Sequence, residues 1–219
     1  MGESYFVHKP SARSRHFEFV ATLRGAALRF TSDSGVFSKS RVDRGTALLA
    51  ATIEVGPCET VLDLGCGIGA LGIAIAKTAE AARVWMTDVN ERAVALATRN
   101  AKQNNVADRV AVLAGAFYEP VAGLAFDHIA TNPPIRAGRG SVTRMIAEAP
   151  AHLRDRGSLW LVARTRQGAP SLQALMRRTF GNADIVARGG GYRVVRAVRA
   201  LGIQEEPQAP EQLLNTAQG

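Results

Sequence analysis

Glycines at 65, 67 and 69, carboxylates at Asp63 and Asp88, and an amide at Asn132 are the groups whose types and spacing could do chemistry in this chain. The glycines end an apolar run. Thr60 to Leu64 is β-branched and apolar enough for a buried strand, and Ala70 to Ala79 is apolar all round with Lys77 its only charge, so Gly65, Gly67 and Gly69 form a tight turn from strand to helix. Glycine there lets the backbone take positive φ and lets a ligand approach it closely. A helix amino terminus adds free N–H groups and a positive dipole end, suited to the polar or anionic part of a cofactor. The bland alternative is a connector with no ligand.

Two acids narrow the choice of cofactor. Gly67 to Gly72 literally matches the dinucleotide fingerprint, yet the turn already begins at Gly65 and Asp63 stands two positions before it. That arrangement suits S-adenosylmethionine better than NAD, because a carboxylate at the strand end can reach a methionine ammonium, a demand that pyrophosphate does not make. Arg83 to Asp88 reads as a second strand ending in an acid, about 20 residues after the glycines, the spacing of a ribose-binding carboxylate. Asp88 would accept both ribose hydroxyls.

Phe126 to Thr131 reads as a strand, and Asn132-Pro133-Pro134-Ile135 follows it. Two prolines have fixed φ and no N–H to donate, so this loop is stiff and offers carbonyl oxygens. An amide oxygen and a backbone carbonyl at a set angle can accept both hydrogens of a planar amino group and aim its nitrogen at a sulfonium methyl. Such a transfer needs little base, and the gain comes from alignment and charge placement. The plainer reading of Asn-Pro is a rigid turn.

The elements that must position these groups alternate along the chain. A polar arm, Met1 to Arg15, leads to a hairpin of Phe17 to Leu23 and Ala27 to Phe30, then a loop from Thr31 to Ser38. Asp43 can cap a helix from Arg44 to Ile53. After the glycine turn come a helix from Glu91 to Gln103 capped by Asn90, strands from Arg109 to Leu113 and Phe126 to Thr131, a helix from Ser141 to Leu153, a strand from Ser158 to Arg164 and a helix from Pro170 to Phe180. Strands Ala183 to Arg188 and Tyr192 to Val198 close the series, joined by Gly189-Gly190-Gly191, which permits a tight reversal. The expected fold is α/β, a doubly wound, Rossmann-like, mainly parallel sheet of seven strands with one antiparallel strand, plus the amino-terminal hairpin. Residues 1–55 are expected as arm, hairpin and cap helix, 56–200 as the core, and 201–219 as a disordered tail.

Composition bounds the function classes. The chain has 219 residues, 47% of them hydrophobic and 21% charged, enough for one full core. With no apolar run of membrane-spanning length and no signal peptide, a cytoplasmic protein with no membrane partner is expected. Cys58 and Cys66 flank an extended strand, too far apart for a disulfide. His8, His16, His128 and His152 are scattered, so no metal is expected. Net charge is +8, and from Arg136 to Arg199 there are 13 arginines against Glu148, Asp155 and Asp184 alone, the footprint of a phosphate-backbone binder.

The sequence resembles class I S-adenosylmethionine-dependent methyltransferases of the methyltransferase small-domain family, which includes bacterial enzymes that methylate the exocyclic amine of guanine in 16S ribosomal RNA. The residues that carry the resemblance are Gly35 to Ser38, Asp43 with Gly45-Thr46, Asp63 to Gly69, Asp88 to Asn90, Asn132 to Gly138, Gln167 to Ala169, and Gly191 to Val194. It is closest in kind to compact single-domain members. The resemblance implies a catalytic motif of Asn132, Pro133, Pro134 and Ile135. It implies cofactor contacts from Phe37, Asp63, Gly65, Cys66, Gly67 and Gly69, from Asp88, Val89 and Asn90, from Ala116 and Phe117 near the adenine, and from Asn132. RNA would be met by Arg136, Arg139, Arg164, Arg166, Tyr192 and Arg193. Ile135 stands where many relatives have Phe or Tyr, and an aliphatic chain does not stack on a flipped base, a difference of about 1 kcal/mol or more.

The leading expectation is therefore methyl transfer to an exocyclic amino group of a base in ribosomal RNA, 16S guanine N2 in type, with ribosomal RNA or the small ribosomal subunit as partner. A protein glutamine N-methyltransferase would share the Asn-Pro-Pro chemistry, but the arginine field argues against it. A catalytically silent RNA-binding module is opposed by the intact Asp63, Asp88 and Asn132.

Overall fold

The computed structural model describes residues 16–34, 36, 41–133 and 139–201; the expected arm before 16 and the expected disordered tail beyond 201 lie outside the described residues. β1 (His16–Leu23) and β2 (Ala26–Asp33) form the amino-terminal hairpin. The strands β3 (Thr60–Leu64), β4 (Arg83–Asp88), β5 (Val110–Ala114), β6 (Phe126–Thr131), β7 (Leu153–Arg164), β8 (Asp184–Gly189) and β9 (Tyr192–Val198) build a seven-stranded sheet in the order β5-β4-β3-β6-β7-β9-β8. The pairs from β5 to β7 are parallel, and β9 alone runs antiparallel to both of its neighbours.

Alternation along the central strands feeds two cores. Val61, Val84 and Met86 turn to the face covered by α1 (Arg44–Thr52), α2 (Ala70–Thr78) and α3 (Glu91–Gln103), whereas Leu62, Leu64 and Ile129 turn to the face of α4 (Arg139–Glu148) and α5 (Ala169–Phe180). A sheet buried on both faces needs near-continuous apolar strands, which is what these sequences supply. The helix α3 buries Ala93, Leu96, Ala97, Asn100 and Ala101, a stripe with helical spacing.

The hairpin is fixed to this body by two amides, Asn100 on α3 and Asn104 at its carboxyl-terminal cap. Asn100 accepts from Thr31 N at 2.8 Å and donates to Thr31 O at 3.0 Å, and Asn104 does the same with Arg29 N at 3.0 Å and Arg29 O at 2.7 Å. This pairing draws Thr31, Ser32 and Asp33 into β2 as buried strand residues. Their polarity predicts a loop; the side-chain amides satisfy the backbone groups that a loop would have exposed.

One helix boundary also differs from the sequence expectation. The expected helix to Leu153 ends at Glu148, a short 3-10 turn around Pro150 follows, and Leu153 opens β7. Proline lacks the N–H that continuation would use. No helix among the described residues is long and apolar enough to cross a membrane.

From β3 the chain winds outward through β4 to β5, then returns to lay β6 on the other side of β3. In such sheets the crevice beyond the carboxyl ends of the strands, at this reversal, receives ligands. The ends of β3, β4, β5 and β6 carry Gly65, Asp88, Gly115 and Asn132 there.

Candidate active site

At the end of β3 the turn closes tightly because its own N–H groups are used inside the protein. Gly65 N and Cys66 N both donate to Thr87 O at 2.9 Å, Gly67 N donates to Asp88 Oδ2 at 2.8 Å, and Gly69 N donates to Cys66 O at 2.9 Å. The sequence predicts free N–H groups at this helix start. These four lie in the turn ahead of α2 and are not that start, but their N–H groups are taken and build no phosphate cradle. Gly65 and Gly67 sit at φ +76° and +56°, and a Cβ on either would meet nothing within 4 Å, so space opens directly above the turn. Beneath it Met86 closes the packing: a Cβ on Gly69 would stand 3.2 Å from Met86 Cε, and one on Gly72 would stand 2.5 Å from Met86 Sδ.

The two acids lie on either side of this turn. Asp63 is 3% exposed, and its Oδ2 accepts from Gly72 N at 2.9 Å, so the carboxylate caps the first turn of α2 from beneath. Burial, with a further contribution from the charge of Asp88, pushes its carboxyl up to about 7 even though the Gly72 bond opposes the shift. Asp88 is 4% exposed and accepts from Gly67 N through Oδ2 and from Asn90 N at 2.9 Å through Oδ1. Burial raises its carboxyl as well, against its backbone hydrogen bonds. Among the described residues neither acid has a cationic partner. Each Asp88 oxygen thus already holds one donor, and ribose hydroxyls would have to use what remains.

Cys66 is buried between these acids, and burial pushes its thiol well above its ordinary value, which keeps it protonated and poorly nucleophilic. Val89 is buried, and Asn90 caps α3 by accepting from Arg92 N at 3.0 Å. Beyond β5, Ala116 and Phe117 are half-buried, and the Arg144 guanidinium lies 4.3 Å from the Phe117 ring centroid. Thr87 Oγ1, at the same edge, is the one buried side-chain oxygen or nitrogen among the described residues without a partner.

Asn132 follows β6 and is half-buried, and Pro133 is buried. Its Nδ2 donates to Asp43 Oδ2 at 3.0 Å and to Thr46 Oγ1 at 2.9 Å. Pro134, Ile135, Arg136, Phe37 and the side chain of Arg139 lie outside the described residues. Arg164, Arg166 and Arg193 reach the same edge of the sheet, since β7 ends there and the antiparallel β9 begins there. Tyr192 does too, but it is 6% exposed, donates to Asp43 Oδ1 at 3.2 Å and accepts from Arg164 Nε at 2.9 Å. Its hydroxyl is thus engaged by Asp43 and Arg164 within the protein.

Sequence reasoning gave Asp43 the part of a helix cap and counted it, with Thr46, among the residues of the family resemblance, but tied neither to Asn132, and it gave Asn100 no part. Asn100 Nδ2 also donates to Ile68 O at 3.0 Å, which ties the hairpin to the glycine turn. The arginine run, too, divides in space. Arg154 pairs with Asp127 and Arg199 with Asp155, and Arg196 lies over Trp160, all at the amino edge. A cavity of ≈ 930 Å³ opens at that edge, with Arg24, Glu59, His128, Trp160 and Arg196 in its wall. Asn132 is not part of its wall, and its inner polar groups satisfy one another: His128 Nε2 meets Glu59 at 2.9 Å, and Trp160 Nε1 donates to His128 Nδ1 at 3.2 Å.

Residues 27–196 match the family described as methyltransferase small domain. A Bacillus subtilis protein, YbxB, itself uncharacterized, is 38% identical over 198 residues, 90% of this chain and 98% of its own length. The ribosomal RNA small subunit methyltransferase C of Haemophilus influenzae is 35% identical over 164 residues, 73% of this chain but 48% of that protein, so the chain spans about half the length of that relative. Among solved structures, the T. thermophilus 16S rRNA N2 G1207 methyltransferase, in complex with AdoMet and guanosine, superposes with a TM-score of 0.76 and 26% identity over 87% of this chain and 52% of that one. With most of its length matched, the chain belongs to the methyltransferase small domain family.

Proposed function

We propose that the chain is an S-adenosylmethionine-dependent methyltransferase acting on the exocyclic amino group of a base in ribosomal RNA, of the 16S guanine-N2 type. The observation that carries this reading is the side-chain amide of Asn132. Its NH2 is committed to Asp43 and Thr46, so Oδ1 is left as an acceptor at the edge where Asp63 and Asp88 flank an open turn.

The residues present fit the cofactor. Two buried carboxylates with no cationic partner among the described residues favour a ligand that carries positive charge, and the space over Gly65 and Gly67 would admit it. Inward-facing N–H groups disfavour a pyrophosphate. Asp88 would hold ribose hydroxyls, Asp63 would face the cationic methionine part, and Ala116 and Phe117 would border the adenine. When bound, the cofactor supplies an electrophilic methyl group with a neutral thioether as its leaving group. Asn132 Oδ1 and a carbonyl of the proline loop would accept the two hydrogens of the target amine and orient its lone pair; their gain grows as the nitrogen becomes positive.

Arg44, Arg164, Arg166 and Arg188 are exposed, Arg193 is half-buried, and all lie on the carboxyl edge around Asn132. Among the described residues none of the five pairs with an acid, which supports a polyanionic substrate. A base inside a helix must be extruded at a cost of a few kcal/mol, which phosphate contacts would offset.

The test is methyl transfer from tritiated S-adenosylmethionine to naked 16S rRNA, to small ribosomal subunits and to total protein. Label recovered as N2-methylguanosine after RNA digestion is the expected result. Label confined to protein glutamine would overturn the RNA assignment.

A further inference from the structure

Asp43 makes more bonds than a helix cap requires. Its Oδ2 accepts from Gly45 N at 2.7 Å and Thr46 N at 3.4 Å, which is the cap, and from Asn132 Nδ2 at 3.0 Å, 89 residues away. Its Oδ1 accepts from Tyr192 OH, 149 residues away. Thr46 adds a second acceptor for the same Asn132 nitrogen. A carboxylate can only accept, so the Asn132 amide must face it with nitrogen, and the amide oxygen is forced the other way. The start of α1 sits close against Tyr192: a Cβ on Gly45 would stand 2.7 Å from the tyrosine ring and 2.9 Å from Asp43 Oδ2. Arg164 completes the assembly, its guanidinium carbon 5.0 Å from the Tyr192 ring centroid and its Nε bonded to the tyrosine hydroxyl.

We propose that Asp43 and Thr46 are positioning residues for methyl transfer: together they set which end of the Asn132 amide meets the target amine, and Tyr192 holds Asp43 in place from behind. This rests on the reading of Asn132 as the acceptor for that amine. An amide free to rotate would present NH2 to the amine for part of the time, a donor facing a donor. The cofactor and RNA surfaces would be untouched, so the loss falls on the transfer step rather than on binding.

Thr46→Val removes the hydroxyl but keeps the backbone N–H that Asp43 caps; Thr46→Ser restores the hydroxyl. Asp43→Ser keeps a capping oxygen on α1 but is too short to serve Asn132 as well. With S-adenosylmethionine and RNA saturating, single-turnover transfer should fall about 10- to 100-fold in Thr46→Val and Asp43→Ser. It should return to near the wild-type rate in Thr46→Ser, with cofactor and RNA affinities and Tm little changed in all three. The side-chain amide protons of Asn132, assigned by their loss in Asn132→Ala, provide a readout that needs no substrate. They should exchange slowly in wild type and Thr46→Ser and rapidly in Thr46→Val. Wild-type rates and slow exchange in Thr46→Val and Asp43→Ser, with Asn132→Ala inactive, would overturn the positioning role while leaving Asn132 in place. Wild-type transfer by Asn132→Ala would remove the reading on which the role depends.

Discussion

Asp63 and Asp88 stand at the carboxyl ends of neighbouring strands and grip the chain on either side of Gly69, Asp88 through Gly67 N in the turn and Asp63 through Gly72 N in α2. The two carboxylates therefore shape the glycine loop before any ligand arrives. They also leave it electrostatically unbalanced, because both are buried and the charge of Asp88 adds to the cost of ionising Asp63.

Cofactor binding should therefore be linked to protons. The Asp63 carboxyl is pushed up to about 7, so it is largely protonated below that pH in the free protein, and a cationic ligand favours the ionised form. Affinity for S-adenosylmethionine should rise with pH up to about 7, by at most about tenfold per pH unit, and level off above. Calorimetry at pH 6 in buffers of different ionisation enthalpy should detect proton release; binding without it would remove Asp63 from contact with the cofactor's charge.

Stability of the free protein should move in the opposite sense. With the Asp63 value raised from 3.8 to about 7, the native state binds more protons than the unfolded chain between those values, so stability falls as pH rises through that window and stays lower above it. Asp63→Asn keeps an acceptor for Gly72 N and removes the charge. It should stabilise the ligand-free protein at pH 8 by on the order of 4 kcal/mol and leave it nearly unchanged at pH 4. Urea midpoints that coincide at both pH values would show that the carboxylate carries no burial cost.

Asn100→Ala should loosen the hairpin and the cofactor turn together. It strands Thr31 N, Thr31 O and Ile68 O away from water. The expected loss is about 2 to 4 kcal/mol of stability, with weaker cofactor binding. A change below about 0.5 kcal/mol in chemical denaturation would mean that water replaces the amide.

Arginines at the two edges should behave differently toward RNA. Replacing Arg164, Arg166 or Arg188 by alanine should each lower the slope of log affinity against log salt by about 0.7 to 0.9. Arg154→Ala should leave the slope unchanged, because that side chain already pairs with Asp127 at 2.6 Å. Equal effects at both edges would favour a diffuse, non-specific field.

The parts legible in the sequence are those whose signal is local. A glycine turn after an apolar run, an acid at each strand end and an asparagine before two prolines can be read from neighbours, and so can the β8–β9 reversal at its three glycines. What the sequence did not disclose depends on distant pairs. Asp43 looks like a cap because its cap partners are adjacent, whereas Asn132 and Tyr192 reach it only after β6 and β9 are laid into the sheet. Thr31 to Asp33 look like a loop because the amide that buries them, Asn100, lies on another element. The arginines form a single run in sequence, and the opposite directions of β7 and β9 distribute them between two edges.

The packing of Met86 under Gly69 and Gly72 makes the glycine turn depend on a thioether that stays unoxidised. That thioether is 0% exposed, with its sulfur in the space that a side chain on Gly72 would need. Conversion to the sulfoxide adds an oxygen and a dipole where neither has room or a partner, which would lift α2 from β4 and spread the turn. A peroxide can reach the sulfur only when this region opens. A ligand that held the turn shut would thus act as an antioxidant shield for Met86.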